Sequence, residues 1–181
     1  MKLHLTQQEI QKPNSAPLLQ TDSVIKSIED DKLAKDYSDK IMEIKAPAGN
    51  LEMAYAAIDA GADAIYVGPT GWSRRTNDSE ASDEDIQLMI DYANNKGAEV
   101  RIVVNTFPSA LEMKAYLNKI SKYHYMGAHG YIASDIGVLK YLKTNFPQSK
   151  IHVSVGSGIS NAMDVKFYEE LGCDLIVLPY R

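Results

Sequence analysis

Blocks of apolar and polar residues alternate from residue 43 onward, and they predict strands and helices in turn. A short strand at residues 43–46 precedes a helix over residues 51–60, where Leu51, Ala54 and Ile58 recur at helical spacing. The order then repeats, with strands predicted at residues 63–67, 100–104, 130–133, 151–155 and 175–178, and helices at 82–95, 110–125, 136–145 and 162–171. The pattern therefore predicts six strands alternating with five helices.

Glycines mark the ends of four of these helices, namely Gly61, Gly97, Gly127 and Gly172. Glycine adopts the left-handed conformation that terminates a helix, and a strand follows each of the four within three residues. The repeated unit is about 30–45 residues long, which is typical of parallel βαβ construction.

Two architectures fit this pattern, an open doubly wound sheet and a (β/α) barrel. The predicted strands are continuously apolar, as expected when helices cover a parallel sheet. No G-x-G-x-x-G motif follows the first strand, which argues against a dinucleotide-binding sheet. We therefore expect an α/β fold of the TIM-barrel type over residues 41–181. Six strands fall short of an eight-stranded barrel of ~250 residues, so the barrel should be incomplete, with free edges on its first and sixth strands.

Residues 1–40 differ from the rest of the chain. They hold 6 Lys, 7 Asp or Glu and no glycine, and their apolar periodicity is poor. We expect a flexible polar extension here rather than a second domain.

Composition narrows the class of protein further. The 181 residues carry a net charge of −5, which argues against a broad nucleic-acid-binding surface. No apolar run is long enough to span a membrane, and the first residues lack the apolar core of a signal peptide, so a soluble cytoplasmic protein is expected. The single cysteine, Cys173, excludes an internal disulfide and a metal centre held by several cysteines of this chain.

Several motifs resemble one known family. APAGN at residues 46–50 and GADAIYVG at residues 61–68 resemble the start of the collagenase-like peptidase family, peptidase U32. Weaker matches follow in the same order, at WSRR (72–75), VNT (104–106), SDIGV (134–138) and HVS (152–154). The resemblance spans residues 43–181.

The resemblance implies a (β/α) barrel with its site at the carboxyl ends of the strands. It implies either a collagenase-like peptidase or an enzyme that hydroxylates a tRNA or rRNA base or a quinone ring, in some cases with prephenate as hydroxyl donor. Family members often carry an iron–sulfur cluster, but its cysteines lie further toward the C-terminus than this chain extends. A cluster is therefore expected only with a further C-terminal part or a partner, and none is expected on this chain alone. The alternative is a non-catalytic or truncated subunit whose barrel is completed by another copy or another chain.

Polar residues follow nearly every predicted strand, where barrel enzymes place their chemistry. The candidate substrate-binding residues are Asn50, Tyr66, Trp72, Ser73, Arg74, Arg75, Ser154 and Arg181. Arg75, which matches the family better than Arg74, can bind a carboxylate or phosphate, with Trp72 as a flat apolar wall. The expected ligand is thus a small anionic or ring-bearing molecule, or a peptide.

Asn105 and Asp135 are the candidate catalytic residues, because they follow the third and fourth strands. Each has a structural alternative, since Asn105 suits a turn and Asp135 suits the cap of the helix that begins at Ile136. His152 falls early in its predicted strand, near the wrong end of the barrel for catalysis, so a structural role is favoured. No H-E-x-x-H motif and no G-x-S-x-G elbow around Ser154 supports a peptidase, and no metal ligands are predicted.

Overall fold

The computed structural model describes residues 42–72 and 80–180. The strands in this part are β1 (Lys45–Pro47), β2 (Ala64–Val67), β3 (Glu99–Val104), β4 (Gly130–Ala133), β5 (Lys150–Val153) and β6 (Leu175–Ile176). The α-helices are α1 (Leu51–Asp59), α2 (Asp83–Lys96), α3 (Met113–Tyr125), α4 (Ile136–Asn145) and α5 (Ala162–Glu170). A 3₁₀ turn at Val155–Ser157 follows β5.

The strands form one parallel sheet in the order β1-β2-β3-β4-β5-β6. Each strand pairs with its neighbour along the chain, so that Tyr66 lies opposite Arg101 and Arg101 opposite Gly130. A doubly wound sheet would reverse its strand order at one point, and this sheet does not. The fold is therefore an α/β half-barrel of the TIM type, and in the described residues β1 and β6 each have one free edge.

The helices begin and end where the sequence predicts, with one exception. The Asn50 side chain caps α1, Ser82 caps α2, and Gly97 ends α2 with a φ of 74°. The predicted helix at 110–125 instead begins at Met113. Ser109 donates hydrogen bonds from its backbone N and its Oγ to the Glu112 carboxylate, at 2.9 and 2.7 Å, and these hold the preceding residues as a turn.

The main core lies between the outer face of the sheet and the helices. Ile102 and Tyr131 of the sheet are fully buried there, as are Ile90 of α2 and Leu139 of α4. The Tyr131 hydroxyl donates to the Ile120 carbonyl at 3.0 Å, which satisfies the one polar group of that side chain. This packing holds the carboxyl ends of the strands along one edge of the sheet.

The expectation of wholly apolar strands is wrong for the inner face of the sheet. Lys45, Arg101 and His152 lie within β1, β3 and β5, and the register of the strands turns all three inward. Helices cover only the outer face of this half-barrel, whereas the inner face lines a cavity where polar groups can meet water or a ligand. Polar residues therefore alternate with apolar ones along these strands.

No helix in the described part of the chain is long and apolar enough to cross a membrane. The predicted flexible extension at residues 1–40 lies outside the described residues.

Candidate functional site

A cavity of about 430 Å³ lies against the inner face of the half-barrel. Its polar lining comes from four of the six strands or the residues just after them: Lys45, Tyr66, Asn105, His152 and Ser154. Val103, Ile132 and Val177 form apolar walls between them. A ligand cavity of this size, mostly apolar with a few fixed polar groups, suits a small ring-bearing molecule.

Asn105 and Ser154 form the polar group at the carboxyl end of the sheet. Asn105 Nδ2 donates to Ser154 Oγ at 3.3 Å, and the backbone N of Gly156 also points to that oxygen, at 3.4 Å. Neither partner can accept a proton from the Ser154 hydroxyl. The contacts of Ser154 therefore suit hydrogen bonding to a ligand, and they do not activate it as a nucleophile.

A charged network lies toward the amino end of the inner face. The buried Arg101 donates from Nη2 to Glu43 and, at 2.6 Å, to Glu99, and Lys150 contacts the other Glu99 oxygen at 2.7 Å. Lys45 lies 3.5 Å from Glu43. Burial alone would raise the pKa of Glu43, but the hydrogen bond and charge of Arg101, with the charge of Lys45, lower it below its usual value. Glu43 is therefore ionised and holds both cations in place.

His152 lines the cavity beside this network and is 3% exposed. Burial, together with the positive charges of Lys45 and Arg101, lowers the pKa of His152 to about 4. The ring is therefore neutral at pH 7 and carries one N–H donor and one acceptor. The expectation that His152 lies near the wrong end of the barrel is incorrect, because it is the third of four residues in β5 and faces the cavity.

Three of the predicted site residues meet at this cavity: Tyr66, Asn105 and Ser154. Asn50 and Asp135 instead cap helices, accepting backbone hydrogen bonds from Met53 and Val138, both at 2.9 Å. The capping alternative for Asp135 is thus present in the structure.

Trp72 does not line the cavity. Its ring packs against Tyr116 of α3, with the ring centroids 4.6 Å apart and the planes inclined at 64°. Ser73, Arg74, Arg75 and Arg181 lie outside the described residues, so their predicted roles in substrate binding stay predictions.

Lys45 and His152 are the polar cavity residues that sequence reasoning did not nominate. The available signal is the spacing of inward positions, since His152 and Ser154 are two residues apart on one strand, as are Arg101 and Val103 on another. Reading every second residue of a barrel strand separates the inner face from the helix-packed face.

Comparison with known proteins decides the family. The model of peptidase family U32 matches residues 49–180. The chain belongs to peptidase family U32.

Curated relatives in this family carry names for two different activities. The "tRNA hydroxylation protein P" of Escherichia coli strain K12 is 32% identical over 136 residues, which cover 75% of this chain and 30% of that protein. The "Collagenase" of Porphyromonas gingivalis is 31% identical over 137 residues, covering 75% of this chain and 32% of that protein. The chain therefore spans about a third of the length of these U32 relatives.

A solved structure confirms the fold of the U32 chain. The U32 peptidase Mk0906 superposes with a TM-score of 0.64 at 16% identity, covering 80% of this chain and 61% of that one. At this identity the likeness shows the fold alone.

The iron–sulfur cluster that the U32 resemblance implies does not fit the residues described. A cluster is held by several cysteine thiolates, whereas this chain has a single cysteine, Cys173, whose pKa burial raises to about 11. Cys173 also precedes β6, at the opposite end of the sheet from Asn105. Residues 42–72 and 80–180 contain no group of three His, Cys, Asp or Glu placed to hold a metal ion.

Proposed function

We propose that this U32 chain forms the substrate-binding wall of an enzyme that hydroxylates a nucleobase of tRNA. The observation that carries the proposal is the 430 Å³ cavity on the inner face. Val103 and Ile132 offer apolar surface to a flat ring, while Asn105 and Ser154 offer an amide and a hydroxyl to its polar edge. Enzymes that modify a base take it out of the stack into such a pocket.

The named activities of the relatives support hydroxylation over peptide hydrolysis when they are combined with the geometry of the cavity. A hydrolase needs an activated nucleophile or a metal-bound water. Among the described residues, Ser154 contacts an amide and a backbone N–H in place of a base, and no metal-ligand group is present. These groups can bind and orient a base, whereas the oxygen donor and the oxidant that hydroxylation requires must come from a co-substrate and from a further part of the enzyme.

The net charge of −5 means that RNA would not be attracted to the whole surface. Local basic residues must then supply the phosphate contacts. We propose Arg74 and Arg75 for this role, because paired guanidinium groups bind phosphate well.

The second candidate is a subunit that needs another polypeptide to complete its barrel. Ile44, beside β1, is 60% exposed, and Leu178, beyond β6, is 63% exposed. These apolar side chains flank the two free edges of the sheet in the described residues, where further strands would cover them.

One complementation experiment tests both candidates. The chain is produced in an E. coli strain lacking tRNA hydroxylation protein P, either alone or together with the part of that relative outside the matched region. Bulk tRNA is digested, and nucleosides are analysed by mass spectrometry for the gain of one oxygen. Recovery of the hydroxylated nucleoside by the chain alone supports the enzyme, and recovery only in the second arm supports the subunit.

The Asn105→Ala variant is expected to lose the recovered activity, and Asn94→Ala is the matched control because Asn94 is exposed on α2, away from the cavity. If a folded chain yields no hydroxylated nucleoside in either arm, the proposal is wrong. Cleavage of gelatin by the purified chain would favour the peptidase.

A further inference from the structure

His152 is a nearly buried polar side chain whose ring has no hydrogen-bond partner among the described residues. Its neighbours on β5, Ile151 and Val153, face the helices and are fully buried, so the imidazole points the other way, to the cavity. Neither ring nitrogen of His152 is sealed off from the cavity, so the imidazole is open to whatever occupies it. Such a group in a cavity indicates that a ligand or an ordered water completes it.

Lys45 lines the same cavity from β1. Its ammonium has three N–H donors, and its ion pair in the described part of the chain is with Glu43, at 3.5 Å. The other Glu43 oxygen is bound to Arg101, which anchors the carboxylate at the amino end of the sheet. Lys45 can therefore keep its contact with Glu43 and still donate a hydrogen bond into the cavity.

We propose that Lys45 and His152 together bind one negatively polarised oxygen of a small ligand, the oxygen of a carbonyl or carboxylate group. Both residues face the cavity from alternate strands, and inward side chains of alternate strands share a level in a barrel. Two donors that converge on one oxygen stabilise charge there, and they do so best where water is excluded. This inference rests on the proposed function in one respect, that the cavity is the ligand site.

Burial and the neighbouring charges decide which form of His152 takes part. Because burial, reinforced by the charges of Lys45 and Arg101, keeps the imidazole neutral, His152 supplies one N–H donor and no full charge. A neutral imidazole beside the Lys45 ammonium can polarise a carbonyl group by donating a hydrogen bond to its oxygen. Because the imidazole carries no charge, it does not compete with Lys45 for the Glu43 carboxylate. Arg101 does not itself line the cavity, and it anchors the Glu43 carboxylate that Lys45 also contacts.

The test is a titration of the purified chain with sodium pyruvate, a small ligand that carries both a carbonyl and a carboxylate group. The chain is labelled with ¹³C at histidine Cε1, and NMR spectra are recorded at pH 7 and constant ionic strength. A saturable shift of the His152 signal is expected, with His124 and His129 unchanged because they lie around a separate cleft at the amino end of the sheet. His152→Gln assigns the signal.

Lys45→Met and Lys45→Gln should each weaken pyruvate binding at least tenfold, and Lys45→Arg should retain part of it. Lys140→Met is the matched control, since Lys140 is exposed on α4. If the His152 signal does not move, or if it responds equally in the folded Lys45 variants, the inference is overturned. The titration contains no RNA, so loss of tRNA hydroxylation with pyruvate binding intact would overturn the proposed function alone.

Discussion

Asn105 Nδ2 donates a hydrogen bond to Ser154 Oγ at 3.3 Å, which joins the end of β3 to the end of β5 across the inner face. β4 lies between these two strands in the sheet, so the bond spans a strand that does not take part in it. The two side chains thereby hold each other in orientation at the mouth of the cavity.

We expect this contact to be measurable in a double-mutant cycle. Asn105→Ala and Ser154→Ala should each lower the free energy of unfolding by about 1 kcal/mol, the usual net contribution of one hydrogen bond. The double variant should lose about 0.5–1 kcal/mol less than the sum, because both changes remove the same bond. Urea unfolding at pH 7 measures all four proteins, and strictly additive losses would show that the two side chains act independently.

Two substitutions of Asp135 distinguish a structural role of this residue from a chemical one. Its Oδ1 accepts from the backbone N of Val138 at 2.9 Å and caps α4. Asp135→Ala should lower the free energy of unfolding by about 1 kcal/mol, while Asp135→Asn should change it little because asparagine is an equally good cap.

Asp135→Asn is the variant to compare with the parent chain in the tRNA hydroxylation assay, because it keeps the cap and removes the carboxylate. Full activity in Asp135→Asn would assign the residue to capping. Loss of activity with unchanged unfolding would instead assign Asp135 a role in proton transfer, as the position after β4 suggested from the sequence.

Much of the fold was predictable because its signals are local. The caps at Asn50 and Ser82 and the helix end at Gly97 each depend on a few adjacent residues, and the strands between them follow from apolar runs. The start of α3 was missed because the side chain of Glu112 competes for backbone hydrogen bonds, a choice that helix propensity does not reveal.

The site was less predictable because it depends on which face of each strand turns inward. The position after a strand indicates Asn105 and Ser154, whereas Lys45 and His152 lie inside strands, where the sequence favours a structural role for His152 and indicates no role for Lys45. Only the strand register, which aligns Ile132 with His152, shows that these positions share one face.

The folded state should become less stable as the pH is lowered, because of His152. Its pKa is 6.5 in the unfolded chain and about 4 in the folded one, so between these values the unfolded state binds more protons. Stability is then fully present above pH 6.5 and is lost as pH falls toward 4. Solvent in the open cavity screens part of the effect, and we expect a loss of about 1–2 kcal/mol.

Burial is the main cause of the lowered pKa of His152, and the surrounding charges modify it. Lys45 and Arg101 disfavour its protonation, while Glu43 and Asp174 oppose them in part. Urea unfolding at pH 7 and pH 4.5 should show a smaller difference between the two pH values in His152→Gln than in the parent chain. An identical difference in both proteins would place the acid sensitivity elsewhere.

Arg101 should be more important for stability than any single surface charge. It is fully buried and bridges Glu43 and Glu99, and its removal leaves two partly buried carboxylates with only lysine partners. Arg101→Met is expected to lower the free energy of unfolding by about 2 kcal/mol, less than for a fully buried pair because Lys45 and Lys150 still compensate.

The control for this change is Lys96→Met, which breaks an exposed ion pair with Asp59 and should cost less than about 1 kcal/mol. Equal losses for Arg101→Met and Lys96→Met in urea unfolding would contradict the bridging role of Arg101.

Trp72 is the one tryptophan of the chain, so its fluorescence reports directly on its contact with Tyr116. The Tyr116 ring is buried and its hydroxyl contacts Thr106, at 3.2 Å from Oγ1, which in turn donates to the Trp72 carbonyl at 3.3 Å. Tyr116→Phe keeps the ring contact and should lower the free energy of unfolding by about 1 kcal/mol, with little change in emission.

Tyr116→Ala removes the ring, and we expect a loss of about 3–5 kcal/mol together with a red shift of the emission as water reaches Trp72. Tyr125→Ala is the matched control, because Tyr125 lies on the same helix but is 83% exposed, and it should change neither quantity. If emission in the folded Tyr116→Ala protein equals that of the parent chain, Trp72 does not depend on Tyr116 for its packing. Its position would then be open to the substrate-binding role that the sequence suggested.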